Sequence, residues 1–448
     1  MQRLEVKSIG FYLLWLGCFG IALIALPYSL GSFIAHNEWQ MIGFAVLGIT
    51  VSTLYFIEAR YLILCTAICL IFADSRIVFV SESFMTIRWV FLIALAIRAL
   101  AHWILGRVPT RLRGIDLWIL SFLALAFYSQ TYSIAPSLTL QRSASALLLY
   151  LAIFWGVWNY VQDTTKILIV ISDFLKASFL LFLLGFLFIG NGRFAGLFTN
   201  PNGLGLFTSL LTPLAVGIFL LWRKPWLAYL ILTIGINLLL CGSRGAIFAV
   251  GIGTAYVLWY YYRDQKHFIL TFPLFFLLLC LLYTALFDWS WLAGYLRWDT
   301  LSVGGGRWEG WREVLRLIKL RPWLGYGFGT EDRLFYAFDI FFLYHAGAYA
   351  HNSYLGLASQ LGLVGVFLLF APLTFFLIRN SRQIAHTPSR ELGLLQSTLT
   401  GSIIAGLVHA IFESWIYSVG NAFAFLFWII VVFAYRLDSA SHPKKSDL

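Results

Sequence analysis

Long apolar runs separated by short polar segments occupy most of the chain. A helix needs about 20 apolar residues to cross the hydrocarbon of a bilayer, and most of these runs are close to that length. The runs lie near residues 9–30, 41–57, 61–73, 84–105, 115–131, 142–160, 166–190, 203–222, 225–241, 245–262, 267–287, 352–378, 397–412 and 415–435. The run 61–73 is short for a crossing. The pattern therefore predicts an all-α integral membrane protein with 12–14 transmembrane helices.

The amino-acid composition also indicates an integral membrane protein. Of the 448 residues, 60% are hydrophobic and 11% are charged, whereas roughly 25% are charged in a typical soluble protein. The net charge of +11 would favour nucleic-acid binding in a soluble chain. Here the basic residues lie mostly in short loops between apolar runs, where they set topology, so we expect no nucleic-acid partner.

The alternation of basic and non-basic loops predicts which side of the membrane each loop faces. Lysine and arginine accumulate on the cytoplasmic side, and the pattern places both termini there. The expected organisation is N-terminal transmembrane helices in 1–190, helices with two external arginine motifs in 191–287, a large external loop in 288–351, C-terminal transmembrane helices in 352–436 and a cytoplasmic tail in 437–448.

Some arginines break this rule because they fall on the predicted external side, and three of them are candidate site residues. Arg193, Arg244 and Arg307 lie in or beside external segments. A basic residue kept on that side against the charge bias often binds an anionic ligand. The alternative is that each arginine caps a helix end or pairs with a lipid headgroup.

Two of these arginines, Arg193 and Arg244, lie in short motifs that contain glycine. The segment 192–203 combines glycine, proline and amides between two spans, which indicates irregular backbone that lines a cavity rather than facing lipid. Its Asn200 and Asn202 are also suited to cap the following helix, whose free amides would point at an anion. The turn 241–245 reverses the chain through glycines and needs no arginine for that purpose.

The large loop contains a glycine run, 304–306, followed by a helical pattern. Trp308, Trp311, Leu315 and Ile318 recur at helical spacing, which predicts an amphipathic helix at the membrane interface. The glycines resemble a phosphate-binding loop, but the lysine and hydroxyl residue that complete a nucleotide loop do not follow them. We therefore expect no nucleotide partner.

Two residues near the predicted external ends of late spans can carry proton chemistry. His351 precedes a span, and an imidazole there is suited to act as a general base, although a single histidine at such a position is more often an interface residue. Glu413 lies four residues after His409, on one helix face, and an acid at membrane depth requires a cationic or histidine partner. The sequence shows no Asp-x-Asp pair or other metal-ligand cluster, so we expect neither a metal nor a cofactor.

In their order and spacing, the segments 193–202, 243–245, 306–308 with 322–327, and 351–355 resemble the O-antigen ligase and polymerase superfamily. The resemblance covers roughly the second half of the chain. It implies a multi-span glycosyltransferase of the bacterial inner membrane, with its active site facing the periplasm or exterior. It also implies a lipid-diphosphate-linked glycan as donor and no metal.

The resemblance implies a role for each motif. Arg193, Arg244 and Arg307 would bind the undecaprenyl diphosphate of the donor, and His351 would deprotonate the acceptor hydroxyl, with inversion at the anomeric carbon. Supporting roles fall to Asn200, Asn202, Asn352, Tyr354 and Glu413.

One departure concerns the carboxylate that relatives often carry soon after the His-Asn motif. This chain has Gly356 and Gln360 at the neighbouring positions, and Glu413 is the candidate to supply the carboxylate from another helix.

Several functions are compatible with these residues. The leading hypothesis is a ligase that moves a glycan from undecaprenyl diphosphate to lipid A-core or another glycan acceptor, with membrane lipids as its surroundings. A repeat-unit polymerase would use the same donor chemistry, and transfer to a protein is a third option. A transporter would be expected to show internal duplication with charged motifs in both halves, whereas here those motifs lie at one face and only from about Arg193 onwards.

Overall fold

The computed structural model describes residues 50, 53–54, 56–105, 112–190, 192–264, 307–342, 348–387 and 389–441. Within these ranges the protein is α-helical, and β-structure is confined to an isolated bridge between Ser75 and Phe198. The helices are α1 (Ala59–Phe72), α2 (Val78–Ile104), α3 (Gly114–Tyr128), α4 (Pro136–Tyr150, continued by a π-helical stretch, Leu151–Val157), α5 (Thr164–Gly185), α6 (Pro201–Trp222), α7 (Pro225–Cys241), α8 (Arg244–Tyr261), α9 (Arg307–Leu320), α10 (Glu331–Ala337), α11 (Ser353–His386), α12 (Arg390–His409) and α13 (Ala422–Ser441).

In the described part of the chain, six helices are long and apolar enough to cross a membrane. They are α2, α4 with its extension, α5, α6, α11 and α12. The prediction of an all-α integral membrane protein is thus confirmed. The predicted runs 9–30 and 267–287 and the glycine run 304–306 lie outside the described residues, so the count of 12–14 spans and the five-segment organisation stay predictions.

The bounds of the last two helices differ from the sequence prediction. The runs 397–412 and 415–435 correspond to helices α12 and α13, which begin at Arg390 and Ala422. Ser389 caps α12 by accepting a hydrogen bond from Leu392 N, and Asn421 caps α13. Between the two helices, apolar residues such as Trp415 are buried in a turn segment, and hydropathy alone cannot distinguish them from a span.

Helices α6, α8 and α12 pack closely against one another. A Cβ atom added at Gly253 of α8 would lie 2.5 Å from the carbonyl oxygen of Gly401 in α12, and one at Gly217 of α6 would overlap Thr398. Small residues let helices approach this closely where lipid gives no hydrophobic drive for association. The same three helices, at one end, carry or lead into the motifs with Asn202, Arg244 and Glu413.

Helix α11 is broken at Gly362, which has φ of 63°. The loop 322–327 fills the break: Tyr326 N and Gly327 N donate to the carbonyls of Ser359 and Gln360, at 2.9 and 2.8 Å, and Leu363 N donates to Pro322 O at 2.8 Å. Backbone groups freed by a helix break need such partners away from water. The glycines of this loop thus have a structural role in contacting α11.

Helix α9 forms as the spacing of its apolar residues predicts. Val314, Leu317 and Ile318 are buried, whereas Trp308 and Leu315 are exposed by 53% and 46%. The helix packs its other side against Phe335 and its neighbours, so Trp308 and Leu315 of the predicted stripe lie on the outer surface, and the position of this helix at the membrane interface stays a prediction.

Candidate active site

Five helix ends meet at one end of the bundle. The starts of α6, α8 and α11 and the ends of α7 and α12 are joined there by hydrogen bonds between the segments that flank them. Consecutive antiparallel helices alternate direction, so motifs at alternate helix ends collect on one side. The structure therefore brings together segments that lie more than 200 residues apart in the chain.

The segment before α6 is irregular, as predicted, and largely buried. Phe194 N donates to Leu240 O at 3.2 Å, and Arg76 N donates to Leu197 O at 2.9 Å. Its Arg193 crosses to the end of α7, where Nε donates to Cys241 O at 2.9 Å, and Nη2 donates to Asn202 Oδ1 at 2.9 Å. The guanidinium thus connects the α7–α8 turn to the start of α6.

The α7–α8 turn is a close reversal through Gly242, which has φ of 56°. Arg244 is the first residue of α8. A Cβ atom at its neighbour Gly245 would lie 2.9 Å from the ring of Phe412, next to Glu413. This places Arg244 on the same side of the bundle as Arg193.

His351 lies in a left-handed backbone conformation with φ of 50°. Outside glycine this region costs roughly 1–2 kcal/mol, although histidine enters it more readily than most residues. Asn352 follows and caps α11, because its Oδ1 accepts from Tyr354 N and Leu355 N at 2.9 and 3.0 Å. The reversal at His351 turns its side chain towards the α12–α13 segment.

Glu413 is the centre of the cluster. Its Oε2 lies 2.7 Å from His351 Nδ1, and its Oε1 accepts from Arg307 Nη2 and from Asn202 Nδ2, both at 2.8 Å. With Arg193 bound to Asn202, a continuous chain runs from Arg193 through Asn202 and Glu413 to His351 and Arg307. Glu413 and its two charged partners are mostly buried. The exposed fraction of the side chain is 17% for Glu413, 28% for Arg307 and 27% for His351.

The electrostatics favour an ionised Glu413. Burial is the largest effect and opposes ionisation, but the hydrogen bond with His351 and the electrostatic interactions with His351 and Arg307 outweigh it and hold the pKa of Glu413 below its usual value. An ionised carboxylate can only accept hydrogen bonds, so His351 Nδ1 carries a proton. In the neutral imidazole, Nε2 is then left with a lone pair that can accept a proton.

A cavity of about 390 Å³ opens beside this cluster. Glu413 and Asn202 line it, together with other polar residues that include Asp74, Thr199, Asn200 and Asn421. The cavity adjoins the cluster at which the arginines and the imidazole meet. A polar ligand entering it would contact the carboxylate and amide that connect the arginines to His351.

The five predicted supporting residues separate into two groups. Glu413 and Asn202 join the charged cluster directly. Asn200 and Asn352 cap α6 and α11. Tyr354 donates its hydroxyl proton to Leu407 O at 2.9 Å and thus connects α11 to α12.

The prediction that His409 and Glu413 lie on one helix face was wrong. Helix α12 ends at His409, so Glu413 lies in the following turn segment and not on the same helix face. Because the chain leaves the helix there, the Glu413 carboxylate can reach His351 and Arg307, which belong to other segments.

Sequence reasoning missed three residues that surround the cluster. Asp74 lines the cavity, and Glu331 and Ser414 hydrogen bond to the segments that carry His351 and Glu413. The only signal in the sequence is an acid at the end of an apolar or glycine-rich run, as at Asp74 and Glu331. Such acids are too common to identify a site without the tertiary contacts.

Over the residues that the structure describes, no three histidine, cysteine, aspartate or glutamate side chains come together as a possible metal site. Two arginines lie close to the Glu413 carboxylate: Arg307 donates to it directly, and Arg193 is connected to it through Asn202.

Comparison with known proteins finds a family model that matches part of the chain. No curated protein matches the chain. The family model described as O-Antigen ligase matches residues 228–370, a range that includes Arg244, Arg307 and His351 but neither Arg193 nor Glu413. The match covers less than half of the chain, and together with the membrane helices it supports a similarity to the O-antigen ligase superfamily and a ligase- or polymerase-type function.

Proposed function

We propose that the protein is a glycosyltransferase that moves a glycan from undecaprenyl diphosphate to an acceptor hydroxyl, such as one on lipid A-core, at the external face of the inner membrane. The observation that carries this proposal is the chain of hydrogen bonds from Arg193 through Asn202 and Glu413 to His351 and Arg307. It joins a candidate base to candidate anion-binding groups.

The arginines would bind and stabilise the leaving diphosphate. When the anomeric carbon is attacked, negative charge develops on the diphosphate oxygen, and guanidinium groups stabilise such charge through charge-assisted, bidentate hydrogen bonds. Arg193 and Arg307 converge on the two sides of Asn202 and Glu413, and Arg244 starts the adjoining helix. In this proposal the three arginines supply the positive charge that a divalent cation provides in other enzymes, so the reaction is metal-independent.

His351 would act as the general base. Its Nδ1 faces Glu413, so Nε2 is the atom that would take the proton of the acceptor hydroxyl. The hydroxyl oxygen then forms a bond to the anomeric carbon while the bond to the diphosphate oxygen breaks. A single displacement of this kind inverts the anomeric configuration.

Glu413 would orient the imidazole and stabilise the imidazolium that forms when His351 takes the proton. A carboxylate at 2.7 Å from Nδ1 fixes the tautomer in which Nε2 is unprotonated. The second oxygen of the same carboxylate holds Arg307. Proton transfer and binding of the leaving group would therefore be coupled through one side chain.

The test is reconstitution of the purified protein in liposomes with a polyprenyl-diphosphate glycan and a candidate acceptor. Glycan transfer by the wild-type protein, and its loss in His351→Ala with donor binding retained, are the expected results. His386→Ala is the matched control, because His386 is exposed at the end of α11. Substantial turnover by His351→Ala would refute the assignment of the base.

The same assay separates the two enzyme activities. With lipid A-core as acceptor, a ligase forms one product that carries the whole glycan. With a second carrier-linked repeat unit as acceptor, a polymerase forms a ladder of longer carrier-linked chains. Growth of that ladder, with no transfer to lipid A-core, would replace the ligase by the polymerase.

A further inference from the structure

The buried side chain of Glu331 lies behind the segment that carries His351. Glu331 is the first residue of α10 and is 4% exposed. Its Oε1 accepts from Ala350 N at 2.9 Å and from Ser414 Oγ at 2.7 Å, while Oε2 accepts from the Tyr417 hydroxyl and from Gln360 Nε2. One carboxyl group therefore connects three other parts of the protein: the segment 348–352, helix α11 and the α12–α13 segment.

These bonds hold the backbone on both sides of His351. The residue before it, Ala350, donates directly to Glu331. The residue after it, Asn352, donates its N–H to Ser414 Oγ at 3.0 Å, and the same hydroxyl donates to Glu331. Since His351 has φ of 50°, the neighbouring contacts must hold a conformation that is unfavourable for a side chain with a Cβ.

The same bonds fix the partner of His351. Ser414 follows Glu413 directly, and Ser353 Oγ donates to Glu413 O at 2.8 Å. Because Glu331 holds Ser414 and Ala350 at once, it sets the position of Glu413 relative to His351. The distance of 2.7 Å between His351 Nδ1 and Glu413 Oε2 therefore depends on Glu331, which acts through Ser414 and Ala350.

The space for this carboxyl group exists because residue 356 has no side chain. A Cβ atom at Gly356 would lie 2.6 Å from Glu331 Oε2 and 2.1 Å from the Tyr417 hydroxyl. These contacts are too short for any real side chain. Glycine at this point of α11 lets Glu331 reach Ser414 and Ala350.

We propose that Glu331 is a positioning residue that holds the His351–Glu413 pair in its reactive geometry through Ala350 and Ser414. The inference rests on the proposed function of His351, and it adds a residue that acts through the backbone and not on the substrate. Displacing a reacting group by about 1 Å is enough to reduce turnover by about 100-fold.

The variants Glu331→Ala and Glu331→Gln distinguish positioning from a general contribution to folding. The alanine variant loses both contacts that support His351 and is expected to lower kcat about 100-fold, with an unchanged KM for the lipid-linked donor. Burial raises the pKa of Glu331 despite the opposing hydrogen bonds from Tyr417 and Ser414, and glutamine keeps the shape of this side chain. The glutamine carbonyl can still accept from Ala350 and Ser414, and Glu331→Gln should keep kcat within about 5-fold of wild type.

Asp332→Ala is the matched control. Asp332 is the next residue of the same helix, and its carboxylate pairs with Arg142 at 2.8 Å on a partly exposed surface. It should retain wild-type kcat. If Glu331→Ala proves too unstable to purify, Ser414→Ala removes only the bridge from Glu331 to Asn352 and is expected to lower kcat in the same direction.

A second measurement does not depend on glycan transfer. Diethyl pyrocarbonate modifies accessible imidazoles, and peptide mass spectrometry gives a rate for each histidine. We expect His351, which is 27% exposed, to react several-fold faster in Glu331→Ala, while exposed His386 reacts at the wild-type rate. Unchanged kcat and an unchanged His351 modification rate in Glu331→Ala would overturn the proposal.

The two measurements keep the proposals separate. If wild type transfers glycan and Glu331→Ala transfers it equally well, the positioning role fails while the proposed function stands. If wild type transfers nothing, the proposed function fails, and the modification rate of His351 still decides whether Glu331 fixes that side chain. Equal loss of kcat in the alanine and glutamine variants would also count against positioning.

Discussion

Replacing Glu413 by glutamine removes the charge at the centre of the cluster while keeping its shape. The glutamine carbonyl can still accept from Arg307 and Asn202, which both bind Oε1 in the wild-type protein. Its amide nitrogen then faces His351 Nδ1 and donates to it. The imidazole must change tautomer, so Nε2 carries the proton and can no longer act as a base.

The size of the effect follows from these contacts. A hydrogen bond to a charged group contributes roughly 1.5–3 kcal/mol, and each 1.36 kcal/mol changes a rate about tenfold, so the lost charge alone lowers kcat about 10- to 100-fold. Reversing the tautomer in a Ser-His-Asp arrangement lowers turnover by about 10⁴. Glu413 and His351 keep 17% and 27% of their surfaces exposed, and solvent reduces the electrostatic part of this effect. We therefore expect a loss in kcat of about 10³.

The assay is single-turnover transfer from a polyprenyl-diphosphate glycan in proteoliposomes, with donor binding measured separately. Glu391→Gln makes the same chemical change at an exposed position in the first turn of α12 and should transfer at the wild-type rate. A Glu413→Gln protein that inserts normally and transfers within 10-fold of wild type would refute the argument that Glu413 sets the tautomer of His351.

Four further predictions concern charge, metal, pH and backbone. Arg307→Lys should recover little of the transfer lost in Arg307→Ala, because an ammonium lacks the planar fork of the guanidinium, and Arg316→Lys on the exposed side of α9 is the control. Transfer should persist in EDTA, because arginines supply the positive charge in the proposed mechanism. The stabilisation from Glu413, whose folded pKa is lowered, is present above its unfolded value near 4.5 and is lost as pH falls through the folded pKa, so the stability difference between wild type and Glu413→Gln should shrink on acidification. Gly325→Ala should lower the thermal unfolding midpoint, because φ is 65° there and an added Cβ would lie 2.6 Å from Ser359 O.

Each of these predictions would be contradicted by a specific experimental result. Full recovery by Arg307→Lys would mean that a point charge suffices at that position. A strict requirement for magnesium would remove the arginine account of leaving-group stabilisation. A constant stability difference across acidic pH would show that Glu413 gains nothing from its cationic partners on folding. An unchanged unfolding midpoint for Gly325→Ala would show that the loop 322–327 is not held closely against α11.

Much of the fold is readable from the chain because the membrane imposes a strong and local constraint. A transmembrane segment must be apolar and must satisfy its backbone within a helix, so the runs predicted α6, α7 and α8 to within two residues at each end. Prediction was weaker where apolar residues fold into loops. Trp415 is buried in a turn and not in a helix, and hydropathy does not distinguish the two environments.

The residue types of the candidate site could be predicted from the sequence. The contacts between those residues were harder to predict. Arg193, Arg307 and His351 were identified because each is a polar residue where a membrane protein has little reason to keep one. The need of Glu413 for a cationic or histidine partner followed from the cost of burying an acid, but the identity of the partners depended on where the chain leaves α12.

The sequence alone determined that this is a helical membrane protein and that arginines and a histidine are kept at certain helix ends, because burial in lipid acts on each segment separately. Only the tertiary structure decided that Glu413 joins His351 to Arg307 and Asn202, and that Glu331 holds the backbone around them. Those contacts join residues far apart in the chain, and their distances follow from how α6, α8, α11 and α12 pack, which no local pattern specifies.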